Sequence, residues 1–352
     1  MSAKVIRLGK TQVGEGAPPY VIAEMSANHN QSLDRAFELI DAAANAGCHA
    51  VKIQTYTADT MTLDCDRPEF RIEDKGSLWT GRTLYDLYQE AHTPWEWHKP
   101  IFERCRERGL DYFSTPFDHS AVDLLEELQV PFYKIASFEN TDIPLLRKVA
   151  KTGKPVIFSN GMATVQELAE AVQTIRDCGN DQIAILKCTS TYPATPKDSN
   201  LATIPHLREL FDVVVGLSDH TLGIGVPVAS VALGASIIEK HFTLARSDGG
   251  PDSAFSLEPS EMKMLVEESL RAYESIGVIH YGLTEKEKKS LCFRRSLFAC
   301  CDIKEGEVLN AENVRIIRPG MGLAPKFSEF VWGRTAARDI QRGTPITFEL
   351  IS

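Results

Sequence analysis

Four short apolar runs in the 352-residue chain carry polar residues spaced two apart at their C-terminal ends. These are Glu24 and Ser26 after Ile22, Lys52 and Gln54, Ser218 and His220 after Gly216, and Glu239 and His241 after Ile237. Alternate residues of a strand share a face, so each set points one way if the runs are strands. An ammonium inside an apolar run is expensive to bury without a counter-charge. Lys52 and Lys134 are both placed so, and something anionic should lie between them. One reading is a structural ion pair with Glu24 or Glu239. The other is a clamp for a phosphate or carboxylate, with Ser137, Ser159 and Ser218 at strand ends as neutral donors. Lys187 has the same placement.

His220 and His241 share a parity at the ends of neighbouring runs. With Glu24 or Asp252 nearby and positions left for water, they suit Mn²⁺, Mg²⁺ or Zn²⁺. The alternative is a pair of hydrogen-bonded polar residues. Asp219 faces the other way, as an orienter of His220 or as part of a turn. The stretch SDGGPDSAFSLEP (247–259) bends sharply at Gly-Gly-Pro, which makes Asp252 either a hydroxyl acceptor for a polyol or a solvated turn residue.

The elements that must hold these groups follow from periodicity. Eight strand-like runs are expected: YVIAEMS (20–26), AVKIQT (50–55), DYFSTP (111–116), FYKIAS (132–137), VIFSNG (156–161), IAILKCTS (183–190), VVVGLSDH (213–220) and IIEKHFT (237–243). Between them lie stretches of helical period such as 33–47, 164–179 and 223–235, and a last helix runs from Pro259 to Gly277. Eight such pairs in about 260 residues fit a closed (β/α)8 TIM barrel of the α/β class better than an open sheet. A doubly wound fold is the runner-up, but no G-x-G-x-x-G follows the first strand. Residues 61–92 form a long insertion with Trp79, Tyr85 and Tyr88, which reads as a lid.

Beyond Tyr281 the texture changes. The expected division is a barrel over 1–280, a charged linker over 281–293 and a small domain over 294–352. That domain repeats a pattern: Asp302-Ile303-x-x-Gly306-x-x-Leu309-x-x-Glu312 returns as Asp339-Ile340-x-x-Gly343-x-x-Ile346-x-x-Glu349. Two copies imply a small pseudo-symmetric β-fold, with little core of its own. The net charge of −10 has no acidic block behind it and gives no footprint for a nucleic acid. No segment has the apolar length of a signal or membrane helix, so a cytoplasmic protein is expected. The eight cysteines show no C-x-x-C and read as free, mostly buried thiols.

The motifs IAEMSANHN, VKIQ (51–54), YKIAS-x-E (133–139), SNGM (159–162), CTSTYP (188–193), GLSDHT (216–221), EKHFT (239–243), GGPDSAFSLEP (249–259), RRSL (294–297) and RPGMGL (318–323) resemble the sialic acid synthase family of nonulosonic acid synthases. The resemblance spans nearly the whole chain. It implies a metal-dependent condensation of phosphoenolpyruvate with an amino-sugar aldehyde, with C–O cleavage and phosphate release. It also implies a C-terminal antifreeze-like (SAF, β-clip) domain that covers the partner's barrel in a domain-swapped homodimer. EMSANHNQ and PDSAFS look most like the pseudaminic acid synthase branch, whose sugar is 2,4-diacetamido-2,4,6-trideoxy-L-altrose, rather than the N-acetylneuraminate or legionaminate branches.

Carried over by motif, Lys52, Lys134, Ser137, Ser159 and Ser218 match phosphoenolpyruvate-binding positions. His220 and His241 match metal ligands, with Mn²⁺ first and Mg²⁺ or Co²⁺ as alternatives, and Glu24 matches the essential carboxylate. Catalysis is assigned to Glu24 and His241. Glu139, Tyr192 and Asp252 match sugar contacts, and Arg318 is the arginine expected to reach the neighbour's site. Ser190 stands where the family has asparagine two residues before the tyrosine, a departure at a phosphoenolpyruvate contact of which a serine hydroxyl can keep one hydrogen bond. A Schiff-base aldolase and a non-catalytic carbohydrate-binding protein are the more distant alternatives.

Overall fold

A computed structural model describes residues 4–74 and 78–352, so residues 75–77 of the 61–92 insertion lie outside the described residues. The chain divides into two compact units, Met1–Gly277 and Val278–Ser352.

The first unit opens with an antiparallel hairpin, β1 (Val5–Leu8) and β2 (Thr11–Gly14). The barrel strands follow: β3 (Tyr20–Glu24), β4 (Ala50–Thr55), β5 (Asp111–Pro116), β6 (Tyr133–Ile135), β7 (Val156–Ser159), β8 (Ile183–Cys188), β9 (Val214–Asp219) and β10 (Ile237–His241). They close in the order β10-β3-β4-β5-β6-β7-β8-β9, with every pair parallel. All eight expected strands are present in their expected order. The structure is the (β/α)8 barrel, and the doubly wound alternative is excluded by closure.

Local chemistry sets the helix ends. Ser32 caps the helix Leu33–Ala46 by accepting from the Arg35 amide, and Gly47 ends it at φ 85°, a left-handed conformation that costs glycine least. Thr164 and Glu167 form a capping box at the helix Val165–Asp177, and Pro259 opens Pro259–Ile276. The outward faces of the strands pack on these helices in one continuous core that includes Val21, Val51, Ile135 and Ile185.

The inward faces form a separate cluster. Ile6, Leu8 and Val13 of the hairpin pack against Ile22, Phe113 and Ile237, closing the N-terminal end of the barrel with apolar side chains. The register then sets the opposite end: Glu24 lies beside Lys52 on β4 and beside His241 on β10, and Glu239 beside Ser218 on β9.

In the second unit, β11 (Ser296–Ala299) pairs antiparallel with β12 (Val314–Ile317). The repeated pattern folds as its symmetry implies. Ile303 and Ile340 exchange backbone hydrogen bonds of 2.8 Å in both directions. Asp302 accepts from the Arg342 amide and Asp339 from the Glu305 amide, so each copy's aspartate caps the other copy's turn. Leu309 and Ile346, equivalent in the repeat, are both fully buried in this unit's small core.

Candidate active site

Four ionisable side chains meet inside the C-terminal mouth of the barrel, each no more than 5 % exposed: Glu24, Lys52, Lys134 and Glu239. Lys52 Nζ lies 2.7 Å from Glu24 Oε2 and 3.8 Å from Glu239 Oε2, and Lys134 Nζ lies 3.8 Å from Glu239 Oε1. The structural ion pairs expected from the sequence are thus in place. They do not satisfy every oxygen, because Glu24 Oε2 has only the Lys52 ammonium beside it and Glu239 Oε2 is buried with no hydrogen bond. Lys52 also donates to Thr115 Oγ1, Gln54 to Glu24 Oε1, and Ser218 to Glu239 Oε1.

Equal numbers of opposite charges do not make the two carboxyls equivalent. Burial raises Glu24 to about 7, against the pull of Lys52 and with Glu239 adding to the rise. Burial acts on Glu239 too, but Lys134, Lys52 and the Ser218 hydroxyl outweigh it and hold Glu239 below the usual carboxyl value. Two carboxyls pushed apart by their surroundings is the arrangement that lets one exchange a proton near neutrality while the other stays charged.

A hydroxyl-lined cradle adjoins this cluster. Lys134 donates to Ser159 Oγ at 2.7 Å. A Cβ built on Gly161 would collide with the hydroxyls of both Ser137 and Ser190, so glycine is what allows them to converge. Asn140 holds the loop by donating to the carbonyls of Ser159 and Gly161, each at 3.2 Å. An ammonium with several hydroxyls around an open backbone position is suited to an oxyanion such as phosphate.

On the other side stand the imidazoles of His220 and His241, their ring centroids 5.3 Å apart. Nδ1 of His220 lies 2.9 Å from the Thr189 carbonyl, which only accepts, so Nδ1 carries a proton. Burial would lower this ring, but Cys188, that carbonyl and Asp219 outweigh it and hold His220 above its usual value, so its other nitrogen becomes a metal ligand by losing a proton as the ion binds. Nδ1 of His241 is buried with no hydrogen-bond partner and lies 3.9 Å from Asp252 Oδ2. Burial first, then the positive charges around it, hold His241 well below its usual value and hence neutral. One nitrogen from each imidazole and a nearby carboxylate fit a divalent cation that takes its remaining ligands from oxygen. Among the described residues, no group of three or more His, Cys, Asp or Glu side chains is placed to hold an ion, so the protein's share of such a site rests on this pair.

The rim is aromatic. Tyr192 packs against His220 with centroids 4.4 Å apart and against Phe255 at 5.4 Å. The cleft of about 700 Å³ beside it is bounded by Ser26, Gln54, Glu139, Ser190, His241 and Asp252 and by side chains of the 61–92 insertion. That insertion is folded as a wall: it carries the helix Leu84–Ala91, and Trp79 donates its indole N–H to the Pro251 carbonyl at 3.1 Å.

Residues 39–281 match the model of the NeuB family, and residues 294–352 match that of the SAF domain. The chain belongs to the NeuB family. It is 46 % identical over 324 residues to the pseudaminic acid synthase of Campylobacter jejuni, covering 92 % of this chain and 94 % of that protein. It is 44 % identical over 331 residues to the pseudaminic acid synthase of Helicobacter pylori, covering 94 % and 97 %. Among solved structures it resembles the N-acetylneuraminic acid synthetase of Leptospira borgpetersenii in complex with citrate, with TM-score 0.73, 31 % identity, and coverage of 82 % of this chain and 95 % of that one. This is the relationship read from the motifs, and the bacterial pseudaminic acid synthases are close relatives.

Within this NeuB-family barrel, the residues singled out in the sequence fall into two sets. Glu24, Lys52, Lys134, Ser137, Ser159, Ser190, Ser218, His220, His241, Glu139, Tyr192 and Asp252 all lie at the strand ends or loops of the mouth. Arg318 lies in the second unit, exposed in the loop after β12. Lys187 does not join the cluster, since it turns back to donate to the Cys188 carbonyl at 2.9 Å. Asp219 does not orient His220 either; it pairs at 2.6 Å with the fully buried Lys240 on the outward side of the strands.

Two residues do more than their sequence context signals. Glu239, an ion-pair partner by its sequence context, is the hub between both lysines and Ser218. Cys188 reads from the sequence as one of the free, mostly buried thiols. Burial alone would raise it, but a hydrogen bond to His220, that ring's charge and the Ser137 hydroxyl bring it down to about 6. Its parity with Ser190 on the β8 line was the available signal.

Proposed function

We propose that this NeuB-family protein is a phosphoenolpyruvate-dependent pseudaminic acid synthase, acting on 2,4-diacetamido-2,4,6-trideoxy-L-altrose. The observation that carries the reading is the adjacency of two ligand-ready surfaces in one mouth: the Lys134–serine cradle and the His220–His241 pair, with Glu24 beside them. The 46 % and 44 % identities to pseudaminic acid synthases support that sugar over its relatives.

In this reading Lys52 and Lys134 hold the phosphate and carboxylate of phosphoenolpyruvate, and Ser137, Ser159, Ser190 and Ser218 supply neutral hydrogen bonds. His220 and His241 hold a divalent cation, Mn²⁺ in our proposal with Mg²⁺ or Co²⁺ as alternatives, which supplies Lewis-acid polarisation of the sugar aldehyde when bound. C3 of phosphoenolpyruvate forms its bond to the aldehyde carbon, and the positive charge left at C2 is met by the oxygen of a water. Glu24 takes one proton of that water and passes it to the oxygen left by the aldehyde, and the second, released as the C2 hydroxyl becomes the ketone, leaves with phosphate as the C2–O bond breaks. Glu139, Tyr192 and Asp252 orient the sugar. We extend the proposal to the homodimer that the motifs imply, with Arg318 of one subunit serving the other's site, and to a cytoplasmic location.

The test is phosphate release from phosphoenolpyruvate in the presence of the altrose derivative and Mn²⁺, together with detection of the nine-carbon acid. Absence of both refutes the reading. The lowered basicity of Lys134, due first to burial, is also what a Schiff-base aldolase needs, so borohydride trapping with pyruvate separates the cases. A covalent adduct on Lys134 would favour the aldolase.

A further inference from the structure

The mouth has two unlike sides. Toward the barrel axis its groups are ionic or hydroxylic, as described. Away from the axis the cleft is bounded by Met61, Ile72, Leu84 and Leu87 and by the rings of Tyr88 and Phe117. Four of the six are aliphatic, and all but Phe117 come from the segment that follows β4.

This face is held in place by the protein's own contacts. The Ile72 amide donates to the Arg82 carbonyl at 2.9 Å, and the Ile72 carbonyl accepts from the Gly81 amide at 2.8 Å. Leu87 is 7 % exposed, packed on the inner side of its helix. Tyr56 bridges the two flanks, its ring 5.7 Å from Tyr88 and 5.2 Å from Phe117. The indole of Trp79 is tied to the loop that carries Asp252 and lies 5.9 Å from the Tyr192 ring, so the apolar wall and the polar side keep a fixed spacing.

One polar group stands at the wall's edge. Glu139 Oε2 is buried and accepts no hydrogen bond, and Tyr88 is near enough for its phenol to be raised by the Glu139 charge after burial. An acceptor beside an apolar face is complementary to an acetamido group, whose N–H donates while its methyl needs no partner. A methyl group in place of a hydroxymethyl suits the same face. A sugar hydroxyl placed there would lose water and find no acceptor among the aliphatic side chains.

We infer that the Met61–Ile72–Leu84–Leu87 wall is the specificity-determining subsite for the methyl-bearing substituents of the aldehyde, with Glu139 receiving an acetamido N–H. The wall selects N-acylated, deoxygenated amino sugars over polyhydroxylated ones. This inference rests on the synthase reading above and deepens it, because it assigns the substituent pattern to one wall.

The experiment compares kcat/KM of the full-length, Mn²⁺-supplied protein for three aldehydes by phosphate release. They are 2,4-diacetamido-2,4,6-trideoxy-L-altrose, its 6-hydroxy analogue and its 4-hydroxy analogue lacking the second acetamido group. The wild-type protein should disfavour each analogue by roughly tenfold to a hundredfold, the discrimination an apolar pocket achieves against an added hydroxyl. Met61→Gln, a near-isosteric change at a half-buried position, and Ile72→Asn should each shrink at least one penalty by about threefold or more, with KM for phosphoenolpyruvate unchanged. Either variant suffices if the other fails to fold. Penalties below about threefold in the wild type, or unchanged penalties in the folded variants while the parent sugar still reacts, overturn the inference alone. No phosphate release with any of the three overturns the synthase reading, and this inference with it.

Discussion

The two ends of the barrel are built from the same eight strands and differ in almost every physical respect. At the N-terminal end the inward residues are Ile22, Phe113, Ile157 and Ile237, sealed by Leu8 and Val13 of the hairpin. Two residues further along the same strands, the inward positions are Glu24 and Glu239, joined there by Lys52 and Lys134. Apolar burial contributes roughly 1.5–3 kcal/mol per large side chain, whereas buried ion pairs about break even or cost stability relative to well-packed apolar residues. The fold has no energetic need of the second arrangement. Its presence, with carboxylate oxygens left unbonded, marks the end at which stability is traded for chemistry.

The sharpest way to break this comparison is Glu24→Gln. Turnover should fall by about 10²–10⁴, the usual contribution of a positioned proton-transfer group, while KM for phosphoenolpyruvate stays within about twofold. Thermal unfolding should change little, because the burial that raises the Glu24 carboxyl to about 7 offsets the attraction to Lys52 that the amide forgoes. Wild-type rates in this variant would make the mouth cluster structural and erase the contrast between the two ends.

The mirror experiment is Leu8→Ala at the sealed end. Leu8 is fully buried, so the cavity should cost about 2–5 kcal/mol, read as a lowered denaturation midpoint, with kcat unaltered below the transition. A large loss of kcat in the folded variant would show that the lower layer positions the upper one and is not simply its foundation.

Gly161→Ala tests the cradle with a single methyl. The added Cβ meets the Ser137 and Ser190 hydroxyls, so KM for phosphoenolpyruvate should rise by roughly tenfold to a hundredfold, on the order of 1–3 kcal/mol of lost hydrogen bonding. Sugar discrimination should be unchanged, because the wall that bounds the other side of the cleft is untouched. An unchanged KM would remove the serines from the anion site.

How far the sequence foretold this contrast differs between the two ends. The eight strands were legible because β-branched runs alternate with segments of helical period, and strand parity correctly grouped Glu24, Lys52, Glu239 and His241 on inward faces. The hairpin at residues 5–14 was not legible: each strand is four residues long, too short for alternation to stand out. Strand parity could not choose between an ion pair and an anion clamp for Lys52 and Lys134, since both need the same opposite charges nearby. Cys188 was hidden by its own residue type, which is most often buried core. The apolar wall was hidden for another reason, because Ile72 and Leu84 belong to an irregular insertion in which no period tells a core side chain from one that faces a ligand. The repeat in the second unit, by contrast, announced its own pairing, since equivalent positions Ile303 and Ile340 bond to each other.

The gentlest probe is pH, and it separates two carboxyls that sit at about the same value for related reasons. Burial raises both Glu24 and Glu139 from the ordinary 4.5 to about 7; Lys52 opposes the rise at Glu24, and Lys134 opposes it at Glu139. If ionised Glu24 accepts the proton from water, kcat should climb about tenfold per pH unit below about 7 and level off above it. Glu139→Gln should keep that limb, because its role is to receive a hydrogen bond from the sugar and not to move a proton. Loss of the limb in Glu139→Gln would transfer the proton-handling role to that residue. Stability should move in the opposite sense. A carboxyl raised on folding makes the native chain bind more protons than the unfolded chain between 4.5 and about 7, so the denaturation midpoint declines as pH rises through that window. Glu24→Gln should flatten the part of that decline due to Glu24, so one substitution should remove activity at the mouth and lessen the stability lost on raising the pH from 5 to 8.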